Sequence, residues 1–200
     1  MPTEGLWSRT RRAVHDEIST VAMGLFLERG FEATTIDEIA AAAGISRRSF
    51  FRYFGTKEDV VLRHLAADGA VLRAALEQRP AEEDAWTALL RAFLGLERTS
   101  APQEQLLKIS AMMYGTPSLR ARSAEKHRQW QDELLPEVRR RLVSAGEGPH
   151  AGVQARAVVA AAIACMDTAG EAWTHANGET PLGELLIAAF TAVAPVMTGA

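Results

Sequence analysis

Apolar residues recur at steps of three and four along most of the chain, and no segment alternates between apolar and polar residues with a period of two. From Val14 to Leu25, the apolar positions follow steps of four, three and four, which place them on one face of a helix. Glycine and proline residues interrupt this pattern and divide the chain into about nine helices. The pattern therefore predicts an all-α protein.

Three short helices are predicted in the first quarter of the chain. The first runs from about Arg11 to Gly30. The second begins after Thr35, which forms a capping-box pattern with the carboxylate of Glu38. Gly44 is suited to the left-handed conformation that ends a helix, so the second helix is expected to stop there. This sharp turn leads directly into the third helix.

The third helix is predicted from Arg47 to Tyr53, with the hydroxyl of Ser46 as its N-cap. Its first turn is basic and rich in hydroxyls, whereas its later positions are aromatic. A helix that reads DNA needs this arrangement, because its N-terminal residues reach base edges while its apolar face docks on the rest of the unit. The pattern therefore indicates a helix-turn-helix DNA-binding unit.

A long helix is predicted next, because Thr56 and Asp59 form a second capping pattern and helix-forming residues continue towards Gln78. Arg139 to Arg141 are expected to be a solvated helix end, where cations oppose the negative end of the helix dipole. The remaining predicted helices span residues 81–99, 102–114, 118–144, 153–176 and 181–197.

The composition of the chain, 48% hydrophobic over 200 residues, is sufficient for a substantial buried core. No apolar run reaches transmembrane length, and the N-terminus lacks the apolar middle of a signal peptide, so a cytoplasmic location without membrane contact is expected. Cys165 is the single cysteine, which excludes an internal disulfide and a multi-cysteine zinc site.

The net charge of −3 argues against nucleic acid at first, but the local charge of the third helix is positive. No acidic residue lies between Ile39 and Thr56, so the arginines of this helix are expected to lack an intrachain carboxylate partner. The N-terminal arginines are open to two interpretations, a solvated basic tail or an arm that enters the minor groove. These residues are Arg9, Arg11 and Arg12.

The segment from Thr34 to Glu58 resembles the DNA-binding segment of the TetR family of bacterial transcriptional regulators. The matching residues are Thr34, Thr35, Ile39, Ala40, Ala43, Gly44, Ser46, Phe50, Phe51, Tyr53, Phe54, Lys57 and Glu58. The resemblance implies a helix-turn-helix DNA-binding domain at residues 10–56 and a helical ligand-binding and dimerisation domain at residues 57–200. It also implies a homodimeric repressor of a pseudopalindromic operator, whose half-sites lie ~34–36 Å apart.

The resemblance also implies roles for individual residues. Arg47, Arg48, Ser49 and Phe50 would face base edges, and either arginine can bond guanine O6 and N7 together. Tyr53 and Lys57 would bind phosphate. Many family members have a tyrosine where this chain has Phe51, and the hydroxyl of that tyrosine binds a phosphate. Because Phe51 lacks this hydroxyl, Arg52 is expected to supply the phosphate contact. The complete set of expected DNA-binding residues is Thr35, Ser46, Arg47, Arg48, Ser49, Phe50, Arg52, Tyr53 and Lys57.

The last two predicted helices are expected to form the homodimer interface, although they could also pack only within one chain. One carries small residues and the other an apolar stripe that includes Leu182, Leu186 and Phe190. The resemblance implies a small-molecule effector, and aromatic and methionine residues of the central helices suggest that it is apolar or aromatic. The candidate ligand-binding residues are Trp86, Phe93, Met112, Met113, Trp130, Met166 and Trp173, with possible polar contacts from His127, Asp167 and His175.

An enzyme finds no support in the sequence. The five histidines do not fall at metal-ligand spacing, and neither a glycine-rich phosphate loop nor a nucleophile motif is present. We therefore expect neither catalytic residues, nor a metal, nor a cofactor. Two alternatives keep the DNA-binding head, namely redox input through Cys165 and a ligand-independent regulator or activator.

Overall fold

The computed structural model describes residues 6–96, 102–146 and 148–198, and these residues form nine α-helices with no strand among them. The all-α prediction is confirmed. The helices are α1 (Leu6–Arg29), α2 (Ile36–Ala42), α3 (Arg47–Tyr53), α4 (Lys57–Glu77), α5 (Ala85–Leu96), α6 (Gln103–Gly115), α7 (Pro117–Ser144), α8 (Ala151–His175) and α9 (Leu182–Thr198).

Two predicted helix starts differ from the structure by four residues or more. Helix α1 begins at Leu6, so the arginines considered as a basic tail or arm lie on a helix. Helix α5 begins at Ala85 rather than near residue 81, because the carboxylate of Asp84 accepts hydrogen bonds from the backbone N–H groups of Trp86 and Thr87. This capping arrangement satisfies two of the free donors at the helix start. The predicted end of that helix lies outside the described residues.

The head of the molecule, formed by α1, α2 and α3, packs around its own apolar core. Phe50 and Ile39 are fully buried at its centre. Helix α4 contributes Val60 and Val61 to the same core, and α6 and α7 contribute Met113 and Leu119. Burying each large apolar side chain stabilises the fold by about 1.5–3 kcal/mol, so the head is fixed to the start of α4 and to the α6–α7 turn.

The body forms a second core from α4, α5, α7, α8 and α9. Leu72, Leu89 and Leu134 are fully buried there, and Phe190 brings α9 against Trp86 with 4.5 Å between the ring centroids. Helix α4 takes part in both cores, and it therefore connects the head directly to the body.

Arg141 is 4% exposed, contrary to the expectation of a solvated helix end. Its guanidinium donates to Glu137 Oε1 over 2.9 Å. It also donates to four backbone carbonyl oxygens around the end of α4, those of Leu76, Arg79, Pro80 and Glu83. The unpaired carbonyls at the end of a helix need donors, and a buried guanidinium needs acceptors. Arg141 satisfies both needs and ties α7 to the end of α4.

Candidate nucleic-acid interface

Hydrogen bonds at both ends of α2 fix the first half of the helix-turn-helix. Thr35 Oγ1 accepts from the backbone N–H of Glu38, and the Glu38 carboxylate accepts from the backbone N–H of Thr35 over 2.8 Å. The bonds that the Glu38 carboxylate accepts from the backbone N–H and the hydroxyl of Thr35 hold the pKa of Glu38 below its usual range. Gly44 has a φ of +67°, and the N–H of Ile45 bonds back to the carbonyl of Ala40. The predicted capping box and glycine turn are confirmed.

Ser46 caps α3, as the sequence predicted. Its Oγ accepts from the backbone N–H of Ser49 over 3.1 Å and lies 3.0 Å from the Ser49 hydroxyl. Both hydroxyls are therefore engaged with each other at the start of the helix, although Ser46 is exposed. Contact between Ser46 and DNA would have to coexist with its role as a cap.

Helix α3 divides cleanly into a buried and an exposed face. Phe50 is 0% exposed, at the centre of the head core, so the expectation that it faces base edges is wrong. The neighbouring Phe51 is 46% exposed and occupies the outer face instead. Since 3.6 residues make one turn, Phe50 and Phe54 share the inner face, while Arg47, Arg48 and Phe51 point outward. The sequence contained this signal, because Phe50 and Phe54 are four residues apart.

Arg47 has an intrachain carboxylate partner, contrary to expectation. Its Nη1 donates to Asp37 Oδ2 over 2.7 Å, and its Cζ lies 5.6 Å from the centroid of the Phe51 ring. Asp37 lies on α2, before the stretch that lacks acidic residues, and the helix-turn-helix brings it close. Asp37 lies ten positions before Arg47, so proximity along the chain does not reveal this pair. Arg48 makes no hydrogen bond or ion pair within the described part of the chain.

Arg52 and Tyr53, at the end of α3, differ in their exposure. Arg52 is exposed, and its Cζ lies 5.3 Å from the centroid of the Tyr53 ring. Tyr53 is half-buried, and its ring packs edge-on against His15. Arg48 and Arg52 are both exposed and lie four residues apart, so they share the outer face of α3.

Lys57 is committed to the interior of the head. Its ammonium donates to the backbone carbonyls of Phe31, Thr34 and Glu32 over 2.7, 3.2 and 3.4 Å, and it lies over the Phe31 ring. An ammonium has three donors, and these contacts engage all of them. The expected phosphate contact from Lys57 is therefore at odds with the geometry. The lysine instead closes the loop between α1 and α2.

The candidate ligand-binding residues are not brought together around one cavity. Trp86, Phe93, Trp130 and Met166 pack in the body core, whereas Met112 and Met113 pack against the head core. Trp173 is buried in α8. Of the seven residues, Met112 lines a groove between α1 and α6. Aromatic composition did not distinguish close-packed core from a cavity wall, because both are apolar.

A cleft of about 1000 Å³ opens between α1, α4 and α7. Its described walls combine apolar surface with charged side chains, namely the carboxylates of Asp16, Asp59, Glu125 and Glu133 and the cations Arg63 and Lys126. Arg122 of α7 lies beside it and donates to the cap residue Thr56 over 3.0 Å. The cleft therefore differs from the apolar cavity that the sequence suggested.

A polar network connects α6, α7 and α8. His127 Nε2 lies 3.0 Å from Asp167 Oδ2, so the structure brings together two of the three expected polar contacts. The Tyr114 hydroxyl donates to the backbone carbonyl of Asp167, and burial raises the pKa of Tyr114. Gly170 leaves the space for this hydroxyl, because a Cβ there would lie 2.6 Å from it. His175 is exposed at the end of α8.

Cys165 is buried, and burial raises the pKa of its thiol. The thiol donates to the backbone carbonyl of Ala189 over 3.6 Å. A reactive thiol needs an exposed and electropositive setting, so this environment disfavours redox input. Within the described residues, no group of three or more histidine, cysteine or acidic side chains is arranged to hold a metal ion. None of the described helices is both long and apolar enough to cross a membrane.

A glycine-linked pair of short helices, with arginines on the outer face of the second, defines a helix-turn-helix DNA-binding protein with an all-α body. Residues 18–63 match the family model of bacterial regulatory proteins of the tetR family, and residues 83–198 match the model of the MftR C-terminal domain. The chain belongs to the TetR family, and it is a DNA-binding transcriptional regulator.

Individual relatives agree with this assignment. The chain is 34% identical over 151 residues to the transcriptional regulator TcmR of Streptomyces glaucescens, a match that covers 72% of this chain and 65% of TcmR. It is 32% identical over 144 residues to MftR of Mycobacterium tuberculosis, a putative mycofactocin biosynthesis transcriptional regulator, over 70% of this chain and 72% of MftR. Both relatives are regulators of transcription.

The fold is also similar to that of a solved structure with bound ligand. Thermus thermophilus FadR, a TetR-family transcriptional repressor in complex with lauroyl-CoA, superposes with a TM-score of 0.63 at 25% identity. The superposition covers 88% of this chain and 91% of FadR.

Proposed function

We propose that this regulator is a homodimeric repressor that binds a pseudopalindromic operator through α3 of two heads and leaves it when a small molecule binds the body. The observation that carries the proposal is the outer face of α3. Arg48 and Arg52 are exposed there without a carboxylate partner in the described residues, while Phe50 anchors the inner face. A helix with this division can enter the major groove without losing its packing. We assign no catalytic activity to the chain.

We propose a revised DNA-binding set, which the burial of the side chains supports. Phe51 replaces Phe50 on the outer face, and Lys57 is replaced by the exposed Arg52 as the cation for phosphate. Arg48 is free to reach either a base edge or a phosphate. Thr35 presents the N-terminus of α2, whose positive dipole end favours a phosphate group.

Genomic-fragment selection tests this function. The purified protein is incubated with fragmented DNA at moderate salt, and the recovered sequences are compared with those of an Arg47→Ala, Arg48→Ala double variant. Arg128→Ala serves as the control, because Arg128 is exposed on α7 of the body. We expect a palindromic motif from the native protein and the control and none from the double variant. The same fragments from all three proteins would refute sequence reading through α3.

The homodimer is proposed to form through the outer faces of α8 and α9. The leucines and Phe190 of the predicted α9 stripe pack largely within the monomer, since Leu186 and Phe190 are buried in the body core. The side that remains exposed carries small and apolar residues, namely Ala157, Ala160 and Ala164 of α8 and Ile187 and Ala188 of α9. Small side chains allow helices of a second copy to approach closely, and a symmetric dimer buries the same patch on both chains.

Sedimentation velocity tests the interface. Ala160→Glu places a charge in the centre of the proposed contact, whereas Ala121→Glu places one on an exposed position of α7. We expect the native protein and Ala121→Glu to sediment as dimers and Ala160→Glu as a monomer with weakened operator binding. A dimer that survives Ala160→Glu would place the interface elsewhere.

The effector is proposed to contain an acyl or other long apolar group. The similarity to FadR in complex with lauroyl-CoA supports this class, and so does the apolar body core around Met166. Because the predicted ligand-binding residues are closely packed, binding would require the core to open. Lauroyl-CoA, lauric acid and CoA alone are titrated against the protein bound to labelled operator. Release by the first two but not by CoA would support an acyl-binding core, and release by none would exclude this class.

Two variants locate the effector site. Met166→Phe adds bulk to the core, and Val143→Phe adds the same group at an exposed position at the end of α7. We expect the first variant alone to weaken release by the active compound. Equal responses of both variants would place the effector outside this core, with the cleft between α1, α4 and α7 as the next candidate.

A further inference from the structure

The guanidinium of Arg47 is held between two side chains on the exposed face of the head. Asp37 of α2 accepts a hydrogen bond from Nη1 on one side, and the ring of Phe51, one turn later on α3, lies against the guanidinium on the other. A free arginine side chain loses about 2 kcal/mol of rotamer entropy when it is fixed. Here part of that ordering is present before any ligand binds.

Both supports are themselves fixed to rigid parts of the head. The Phe51 ring packs edge-on against Phe50, with 5.8 Å between centroids and 87° between planes, and Phe50 has no exposed surface. Asp37 lies in the first turn of α2, which the Thr35–Glu38 capping box holds in place. The position of the Arg47 guanidinium is therefore determined by the helix-turn-helix itself.

We propose that Asp37 and Phe51 are positioning residues that orient Arg47 for a bidentate contact with one guanine of the operator. This inference rests on the proposed function, operator binding through α3. A guanidinium carries five donors, and a guanine offers the O6 and N7 acceptors to two of them. Asp37 engages Nη1, so the edge formed by Nε and Nη2 remains available on the exposed side. Arg48 has no such support within the described residues.

The carboxylate of Asp37 has two opposite effects on DNA binding. Its negative charge repels phosphates and weakens binding to every sequence. Its hydrogen bond orients Arg47 and lowers the ordering cost of the one contact that reads a base. Side chains of Asp37 and Arg47 are more than half exposed, and such ion pairs contribute only about 0–1 kcal/mol to stability. The pair is therefore expected to affect sequence discrimination more than folding.

The first test uses Asp37→Asn, which keeps the shape of the side chain and removes its charge. Fluorescence anisotropy gives the affinity for the selected motif and for a scrambled duplex at the same salt concentration. We expect the scrambled duplex to bind as well as before or better, and the ratio of the two affinities to fall about five-fold or more. Glu28→Gln is the matched control, because it removes one exposed charge from α1 and should leave the ratio unchanged.

The second test replaces each guanine of the half-site in turn with 7-deazaguanine, which lacks the N7 acceptor. At one position, this replacement should weaken binding of the native protein about five-fold or more. Arg47→Ala should lose this sensitivity, Asp37→Asn and Phe51→Leu should reduce it, and Arg48→Ala should retain it. Thermal unfolding of each variant confirms that the head is folded.

The outcomes separate this inference from the proposed function. Suppose that the native protein prefers the motif and that Asp37→Asn raises the affinity for both duplexes by the same factor. Asp37 then only repels DNA, and the positioning role is overturned. Sensitivity to 7-deazaguanine that survives Arg47→Ala at every sensitive position would also overturn it. If the native protein does not distinguish the motif from the scrambled duplex, operator binding itself fails, and the positioning role fails with it.

Discussion

The head and the body each contain an arginine that meets a carboxylate, but the two regions use these arginines in opposite ways. Arg47 in the head is exposed and engages one donor with Asp37. Arg141 in the body is 4% exposed and donates to Glu137 and to four backbone carbonyls. The difference shows that a cation with unused donors on a surface is available for a partner, whereas a fully bonded buried cation supports the fold.

The largest change in stability is expected at one of the two adjacent phenylalanines of α3, Phe50, whereas the other, Phe51, should mainly affect DNA binding. Phe50→Ala removes a fully buried ring and should lower the free energy of unfolding by about 3–5 kcal/mol. Phe51→Ala removes an exposed ring and should change stability by less than about 1 kcal/mol while weakening operator binding. Urea unfolding and anisotropy measure the two quantities. Equal losses of stability would contradict the assignment of the two faces.

The next effect concerns the buried arginine of the body. Arg141→Met keeps the apolar stem but removes the buried donors that bond Glu137 and the four carbonyls around the end of α4, at a cost of about 3 kcal/mol, although Glu137 keeps its bonds from Arg140. Arg139→Met, an exposed position two residues earlier, should stay within about 0.5 kcal/mol of the native protein. Urea unfolding of the full chain distinguishes the two. If both variants unfold alike, Arg141 does not hold α4 in place.

The contact between Arg141 and Glu137 depends on pH, because the carboxyl of Glu137 can be protonated. The hydrogen bond from Arg140, together with the charges of Arg140 and Arg141, holds the pKa of Glu137 below its usual range. A carboxyl whose pKa is lowered by folding contributes stability above its unfolded pKa, and this contribution is lost as the pH falls through the folded pKa. The body is therefore expected to lose stability in acid partly through Glu137.

A smaller effect, of about 1 kcal/mol, is expected from the cap of the recognition helix α3. Ser46→Ala removes the acceptor for the N–H of Ser49. Ser46→Asp restores an acceptor, and it should recover stability while its negative charge weakens DNA binding. Thermal unfolding and anisotropy of the two variants are compared. If Ser46→Ala is as stable as the native protein, the hydroxyl is not needed as a cap.

The sequence predicted best those features that depend on residues near each other in the chain. The Thr35–Glu38 box, the Gly44 turn and the Ser46 cap involve neighbours within a few positions, and all three are confirmed. The contacts of Lys57 with the loop after α1 and of Arg141 with the end of α4 join residues that are 23–26 and 58–65 positions apart. No periodicity reports such distant pairs.

The candidate ligand-binding residues lie in two separate cores for a related reason. Trp86, Phe93 and Trp130 are large and apolar, as the residues of a ligand cavity would be, but the structure uses these properties to fill the body core. A cavity depends on the volume left between helices, which is set by all of them together. The face of α3 was predictable in principle, because the helical period places Phe50 and Phe54 together, and Asp37 required the three-dimensional arrangement of α2 and α3.

The smallest expected effect is a dependence of the stability of the head on the protonation of His15. Burial, together with the positive charges of Arg63 and Arg11, lowers the pKa of His15, which packs edge-on against Tyr53 and Phe54. His15 therefore binds a proton more readily in the unfolded chain than in the folded head. The free energy of unfolding should reach its full value above about pH 6.5 and decrease as the pH falls below it.

His15→Gln should remove this part of the pH dependence, and His150→Gln, at an exposed position before α8, should not. Urea unfolding at pH 7.5 and pH 5.5 gives the change in free energy for each protein. The loss of stability between the two pH values should be smaller in His15→Gln than in the native protein. Because His15 lies in the head core beside the end of α3, operator binding should follow the same trend. If the native protein and His15→Gln lose equal stability, His15 is not the source of this pH dependence.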